Sequence, residues 1–237
     1  MRVLVTRPLP AAEATARRLE AAGHEAILLP LMRATHLTAS ASAALEAPYA
    51  AIALTSAETV RVLALSGDNL SKHLITPCFC VGEATAQAAE QLGFTDIRTG
   101  AGTGEALAEL IAVSVVTPPQ LPLLYLTGTP RSNGLEEGLR QRGIDYRTVE
   151  CYRMEPIAHV GDRLVDLAQS NRPDAVVLYS RETARHLVRI LAEAGLDTAS
   201  LSPRYLCLSP AIAAALPGGT LSQTAARPDE DSLFRLL

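Results

Sequence analysis

The chain has 237 residues, room for one large α/β domain or two of roughly 120 residues each. Hydrophobic residues at 48% and charged residues at 19% exclude a disordered or charge-driven chain. A formal net charge of -4, with no basic run longer than Arg17-Arg18, argues against duplex nucleic acid as a partner.

Residues 1–7 open directly as a strand and lack the apolar core of a signal peptide, so a cytoplasmic protein is expected. The longest near-apolar stretches, 26–32 and 50–54, are strand-sized and too short for a bilayer of about 30 Å. A strand over 2–6 leads to a helix over 11–22 closed by Gly23, and a long strand then runs from residue 24 through Pro30, Met32 and Ala34. A helix over 41–47 precedes strand 50–54, helix 57–66, strand 78–81, helix 83–92 closed by Gly93, strand 95–98 and helix 103–113 opened by Thr103. The alternation continues with strand 123–127, helix 132–142 closed by Gly143, strand 145–152, helix 159–169 and strand 174–179. Helix 181–194 closed by Gly195, strand 204–208, helix 210–215 opened by Pro210, strand 220–224 and helix 229–236 complete it. Strands that are apolar on both faces predict an α/β fold of buried parallel sheets with helices on either side.

A repeat with an offset near 120 residues runs through these units. Arg2-Val-Leu-Val-Thr6 corresponds to Leu123-Leu-Tyr-Leu-Thr127, Leu54-Thr-Ser-Ala-Glu-Thr-Val-Arg61 to Leu178-Tyr-Ser-Arg-Glu-Thr-Ala-Arg185, and Cys80-Val-Gly to Cys207-Leu-Ser. Two similar domains are therefore expected, each a parallel sheet flanked by helices. If the strands near 24–34 and 145–155 are long crossover segments, residues 1–35 with 153–237 form one domain and residues 36–152 the other. Periodicity alone allows sequential halves equally well.

Nucleotide loops, zinc-protease motifs and nucleophile elbows are absent from the sequence. Gly100-Ala-Gly102-Thr-Gly104 after a strand suits either a turn with a helix cap or a backbone anion site, the latter leaving a nucleotide-dependent enzyme open. None of the five histidines is paired at ligand spacing, and the acidic residues read as solvated or ion-paired, so no metal is expected. Cys78, Cys80, Cys151 and Cys207 lie in apolar strand-like runs and read as buried thiols, with Cys78 and Cys80 expected on opposite faces.

A hydroxyl or small residue recurs where strands end: Thr6, Thr55-Ser56, Gly82, Thr127-Gly128, Ser180 and Ser209-Pro210. In parallel sheets these ends line the ligand crevice, and the helices that follow direct N–H groups at it. Simple N-capping explains any one of them equally well. Tyr152, on the second crossover segment, is placed to donate a hydrogen bond to a leaving or carbonyl oxygen, as a phenol with a reference pKa near 10. A packing or hinge tyrosine is the alternative.

At these residues the sequence resembles the uroporphyrinogen-III synthase family. The likeness is carried by Val5-Thr6-Arg7-Pro8, Leu54-Thr55-Ser56, Val81-Gly82 with Thr85, Thr127-Gly128, Glu150-Cys151-Tyr152, Ser180 and Leu208-Ser209-Pro210, in order along nearly the whole chain. The resemblance implies a lyase that takes the linear tetrapyrrole hydroxymethylbilane, removes water and closes the macrocycle with ring D inverted, through an azafulvene cation and a spirocyclic pyrrolenine. It further implies the interleaved two-domain fold, no metal or organic cofactor, a monomer, and a substrate received from the preceding pathway enzyme and bound between domains largely by backbone amides. Tyr152 matches the family tyrosine assigned to departure of the ring A hydroxyl, and Thr55, Ser56, Gly82, Thr85, Ser180 and Ser209 match cleft residues. Thr6 and Gly128 join them as strand-end positions, and Arg7, Arg131, Arg153 and Arg181 are the arginines expected to help with the substrate's carboxylates. Two departures stand out: Thr127 replaces a common basic residue, and Ala211-Ile212 replaces hydroxyl residues. The competing reading is a non-catalytic two-domain binding protein for a small polycarboxylate or phosphate anion.

Overall fold

The computed structural model describes residues 1–114 and 121–237. In chain order the elements are β1 (Arg2–Val5), α1 (Ala11–Ala21), β2 (Glu25–Leu28), β3 (Met32–His36), α2 (Thr38–Glu46), β4 (Ala51–Leu54) and α3 (Ala57–Ala64). A 3-10 turn (Gly67–His73) precedes β5 (Cys78–Cys80), α4 (Glu83–Leu92), β6 (Ile97–Thr99), α5 (Gly104–Ser114), β7 (Leu123–Thr129), α6 (Gly134–Gln141) and β8 (Tyr146–Pro156). Then follow α7 (Val160–Ser170), β9 (Ala175–Leu178), α8 (Arg181–Glu193), α9 (Thr198–Leu201), β10 (Tyr205–Cys207), α10 (Pro210–Ala213), β11 (Ser222–Thr224) and α11 (Glu230–Phe234).

Two compact units result: a terminal unit of Met1–Arg33 with Glu155–Leu237, and a middle unit of Ala34–Met154. The terminal unit's sheet has the order β11-β10-β9-β1-β2, its neighbours parallel. The middle sheet has the order β3-β8-β7-β4-β5-β6, with parallel pairs from β8 to β6. Under the 120-residue repeat, β7, β8, β4, β5 and β6 take the places of β1, β2, β9, β10 and β11. The two sheets then have one strand order, the flavodoxin-like 2-1-3-4-5, entered at different points of the chain.

Burial explains the strands. Every residue of β4, β5, β9 and β10 is buried, as a parallel sheet covered on both faces requires. In β7, Leu124 and Leu126 pack with Val60 and Leu63 on one side, while Leu123 and Tyr125 pack with Leu107, Ile111, Leu135 and Leu139 on the other. Helix α8 buries Thr183, Ala184, Leu187, Ile190 and Leu191, one stripe at helical spacing. Gly23, Gly93, Gly143 and Gly195 have φ of +80°, +106°, +65° and +71°, so each ends its helix in the left-handed conformation that glycine adopts at little cost.

The structure corrects several expectations. The single strand through residues 24–34 is two: β2 stays with β1, Leu31 N–H still reaches the Thr6 carbonyl at 3.1 Å, and β3 joins the middle sheet beside β8. Pro30, which lacks an N–H, stands at the break. Helix α2 begins at Thr38, and α9 was not expected at all; Asp197 caps it by accepting the Ser200 N–H at 2.7 Å. Cys78 and Cys80 share a face, with sulfurs 3.8 Å apart, because strand side chains repeat every two residues. All four cysteines are free and buried.

Candidate active site

In the middle unit the strand order sets β8, β7, β4 and β5 side by side, so four predicted positions become neighbours at one sheet edge: Tyr152, Gly128, Thr55-Ser56 and Gly82. β4 and β7 form the switch point of this sheet, where ligands of open α/β folds bind. A pocket of about 400 Å³ opens there, lined by Thr55, Tyr125, Thr127, Arg131 and Tyr152 and by the Gly102–Gly104 loop.

A bulge aims the tyrosine. Thr127 pairs with Glu150 but Gly128 pairs with Tyr152, leaving Cys151 as the extra residue. The phenol ring then lies over Gly128, where a Cβ would fall within the ring. Tyr152 is 9% exposed. Burial pushes its phenol above the ordinary value, the Ser56 hydroxyl opposes this, and the Glu58 charge adds to it. At neutral pH the group is a neutral O–H donor.

The remaining predicted residues of this unit have identifiable duties. Thr55 Oγ1 lies 3.0 Å from the Tyr125 hydroxyl and 3.5 Å from Thr127 Oγ1, so Thr127 stands in a small hydroxyl cluster. Ser56 caps α3 by accepting the Glu58 N–H at 3.1 Å. Gly82 caps α4 without a side chain, and Thr85 is buried in the first turn with its N–H on the Gly82 carbonyl at 3.1 Å. Arg131 bonds Glu136 at 3.1 Å. Burial works against the Glu136 charge, but Arg131 and Thr148 hold its carboxyl below the usual range. Arg153, on β8, pairs with Glu150 at 2.8 Å.

The glycine-rich loop serves the same pocket. Thr103 accepts the Ala106 N–H at 3.2 Å, capping α5 as its sequence suggests. A Cβ on Gly104 would stand 2.5 Å from the Leu135 nitrogen, and one on Gly138 2.6 Å from the Ala108 Cβ. These glycines let α5 and α6 touch along their backbones, which brings two helix N-termini to one side of the pocket. Two such ends supply partial positive charge and free N–H groups for carboxylates.

In the terminal unit Thr6, Ser180 and Ser209 follow the neighbouring strands β1, β9 and β10. Thr6 has no exposed surface and donates to the Val177 carbonyl at 3.2 Å, tying β1 to β9. Its side chain ties the two strands together. Ser180 caps α8 by accepting the Thr183 N–H at 3.0 Å, as Ser56 caps α3 in the repeat. Ser209 precedes Pro210 and makes no side-chain cap. Arg7 donates to Thr15 and to Glu230, each at 3.2 Å, and lies 4.1 Å over the Tyr179 ring. Arg181 stands 3.9 Å from Glu182.

Sequence reasoning passed over Tyr125, Glu58 and Glu230. Tyr125 is a core-like aromatic in an apolar strand, the partners of Glu230 are distant in the chain, and the His36 partner of Glu58 lies 22 residues away, although its Arg61 partner is a local i,i+3 pair. A second pocket of about 420 Å³ lies along α7 and α8 beside His159, His186 and Arg189 and contains none of the predicted residues. Among the described residues no group of three or more His, Cys, Asp or Glu is arranged for a metal, and no helix is long and apolar enough to cross a membrane.

Two α/β units with one strand order, both with hydroxyl residues at strand ends and the middle one with glycines and a pocket there as well, define a two-unit α/β protein with a crevice sized for a small molecule at the switch point of its middle unit. A family model described as Uroporphyrinogen-III synthase HemD matches residues 13–235, and the chain belongs to this family. Among solved structures, the uroporphyrinogen-III synthetase of Helicobacter pylori is 16% identical, with a TM-score of 0.64 and coverage of 100% of this chain and 98% of that one. A mutant uroporphyrinogen III synthase of Thermus thermophilus is 20% identical, with a TM-score of 0.57 and coverage of 99% and 96%. No curated protein matches the chain. The activity is the cyclisation of hydroxymethylbilane to uroporphyrinogen III in tetrapyrrole biosynthesis, acting on a small-molecule tetrapyrrole.

Proposed function

We propose that the cyclisation is initiated at the middle-unit pocket, with Tyr152 as the catalytic residue. Its phenol donates a proton to the departing hydroxyl of ring A; the C–O bond breaks, water leaves, and the electron-poor pyrrole that remains is attacked by the substituted carbon of ring D. The observation that carries this reading is the bulged pairing that lays the Tyr152 ring over Gly128 at the edge of the pocket. A neutral, buried phenol is a modest acid, so its share is limited, and holding the rings in the orientation for rearranged closure supplies the rest.

Carboxylates of the substrate are held, on this reading, by N–H groups at the starts of α5 and α6, with Arg131, Thr55, Ser56, Gly82, Thr85 and Gly128 shaping the wall. Arg7, Ser180 and Ser209 of the terminal unit serve as further contacts. The two units are the protein's two domains.

The test is Tyr152→Phe, which keeps the ring over Gly128 and removes the proton. The expected result is a fall in kcat of about a hundredfold, an unchanged melting temperature, and a product mixture shifted towards the spontaneous unrearranged isomer. Full turnover with normal isomer ratio would refute the assignment.

A further inference from the structure

Two tyrosines line the middle-unit pocket from opposite faces of its sheet. Tyr152 packs with the apolar cluster on one face and Tyr125 with the cluster on the other. The Tyr125 side chain on β7 is 1% exposed and packs with Leu107, Ile111 and Leu135, a site that Phe would fill as well. A hydroxyl added at such a site needs a partner. It lies 3.0 Å from Thr55 Oγ1, which is itself 3.5 Å from Thr127 Oγ1. All three residues line the pocket, and among the described residues no Asp or Glu does.

We infer that Tyr125, acting with Thr55, is a specificity-determining residue for the tetrapyrrole, and that this hydroxyl pair donates to one of the side-chain carboxylates. The inference rests on the reading of this pocket as the substrate site. Tyr125 and Thr55 bring two hydroxyl protons, and the hydrogen bond between them uses one. Including Thr127 gives three protons for two contacts, so one proton is always left to donate. A carboxylate only accepts, and it therefore fits a wall of donors that holds no acidic residue. Arg131 on the same wall is already bonded to Glu136 at 3.1 Å, which leaves selection to the neutral hydroxyls. The core holds the Tyr125 ring and Thr55 holds its hydroxyl, so the donor is set in place before substrate arrives. The carboxylates keep their charge throughout the cyclisation. Such a contact is equally strong in ground and transition states, and its loss is read in KM.

The experiment measures Tyr125→Phe on hydroxymethylbilane and on two analogues, one with methyl in place of the acetate side chains and one with ethyl in place of the propionates. For the analogues the quantity read is the inhibition constant against hydroxymethylbilane, which needs no turnover. KM for hydroxymethylbilane should rise about tenfold, the scale of one hydrogen bond to a charged group, with kcat within about twofold and the rearranged isomer retained. One of the analogues lacks the contacted carboxylate, and on it Tyr125→Phe and the parent should agree within about twofold. A merely structural tyrosine would weaken all three compounds by one factor, and that result overturns the inference, as does a parental KM. If Tyr152→Phe loses kcat while Tyr125→Phe keeps the parental KM, this inference fails and the Tyr152 assignment stands. If both variants match the parent, the reading of the pocket as the substrate site fails with it. Should Tyr125→Phe not fold, Thr55→Val decides by the same comparison: weakening that disappears with one analogue supports the contact, and equal weakening of all three, or none, overturns it.

Discussion

Replacing Glu230 by Gln tests the polar network of the terminal unit. Glu230 opens α11 behind the Asp229 cap and keeps 18% of its side chain exposed. One oxygen accepts from Thr15 and Tyr179, both at 2.6 Å, and from Arg7 at 3.2 Å; the other accepts from Arg18 at 2.5 Å. Gln retains an acceptor for the two hydroxyls but gives up the charge that both guanidiniums meet. Arg7 is 29% exposed, so its charged bond counts at about 1.5–3 kcal/mol. Arg18 is 45% exposed, and solvent screening reduces its share to under about 1 kcal/mol. The expected loss is therefore about 1.5–4 kcal/mol at pH 7, read as a lower urea midpoint at unchanged slope. The pH dependence has a definite sign. Burial opposes the Glu230 charge, but Thr15, Tyr179, Arg18 and Arg7 outweigh it and depress the carboxyl below its ordinary value. Its stabilisation is thus complete above an unfolded carboxyl pKa of about 4.3 and fades as pH falls through the depressed native value. The gap between parent and variant should close in acid. Equal midpoints at pH 7, or a gap that persists undiminished near pH 3, would refute the reasoning.

Gly128→Ala puts a methyl group into the space of the Tyr152 ring, so it should reduce kcat as Tyr152→Phe does and in addition cost about 1–3 kcal/mol of stability; steady-state rates and thermal melts check both. Gly104→Ala forces its Cβ against the Leu135 backbone at 2.5 Å, and the α5–α6 contact must open. Amides of these two helices should exchange faster while those of α8 keep their protection, and uniform exchange would count against the contact.

How far the sequence reveals the molecule depends on how local the cause is. Glycines at +65° to +106° are visible because a helix end needs that conformation wherever it occurs. The all-apolar strands are visible because a doubly covered sheet admits nothing else. The break at Pro30 is half visible: proline marks a stop, but whether Met32–His36 continues in the same sheet or passes to another depends on partners more than a hundred residues away. The shared face of Cys78 and Cys80 is fully legible in the sequence, since residues two apart on a strand point the same way. In the site, strand-end hydroxyls are legible as a class, whereas their duties are not. Thr6 serves a carbonyl on β9, and only the fold brings Val177 to it. Tyr152 drew notice by its crossover position and by family likeness, but its relation to Gly128 arises from a bulge that neither strand announces alone. Glu230 lies 223 residues from Arg7, and no spacing rule links them.

The same pairing bears on how an acidic chain handles a substrate with eight carboxylates. Of the arginines expected at the site, Arg7 meets Glu230 at 3.2 Å, Arg131 meets Glu136 at 3.1 Å, Arg153 meets Glu150 at 2.8 Å and Arg181 meets Glu182 at 3.9 Å. Each cation already faces an internal carboxylate, so the long-range field follows the net charge of -4 and repels the substrate. Attraction must come at short range, from N–H groups and partial charges that act only on contact. Raising ionic strength from about 20 to 200 mM shortens the screening length from roughly 20 Å to 7 Å and removes repulsion first. KM for hydroxymethylbilane should therefore stay level or fall over that range. An enzyme gripping its substrate with unpaired arginines would show the opposite, and a KM that climbs by more than about threefold across this range would mean that the ion pairs open to take the substrate.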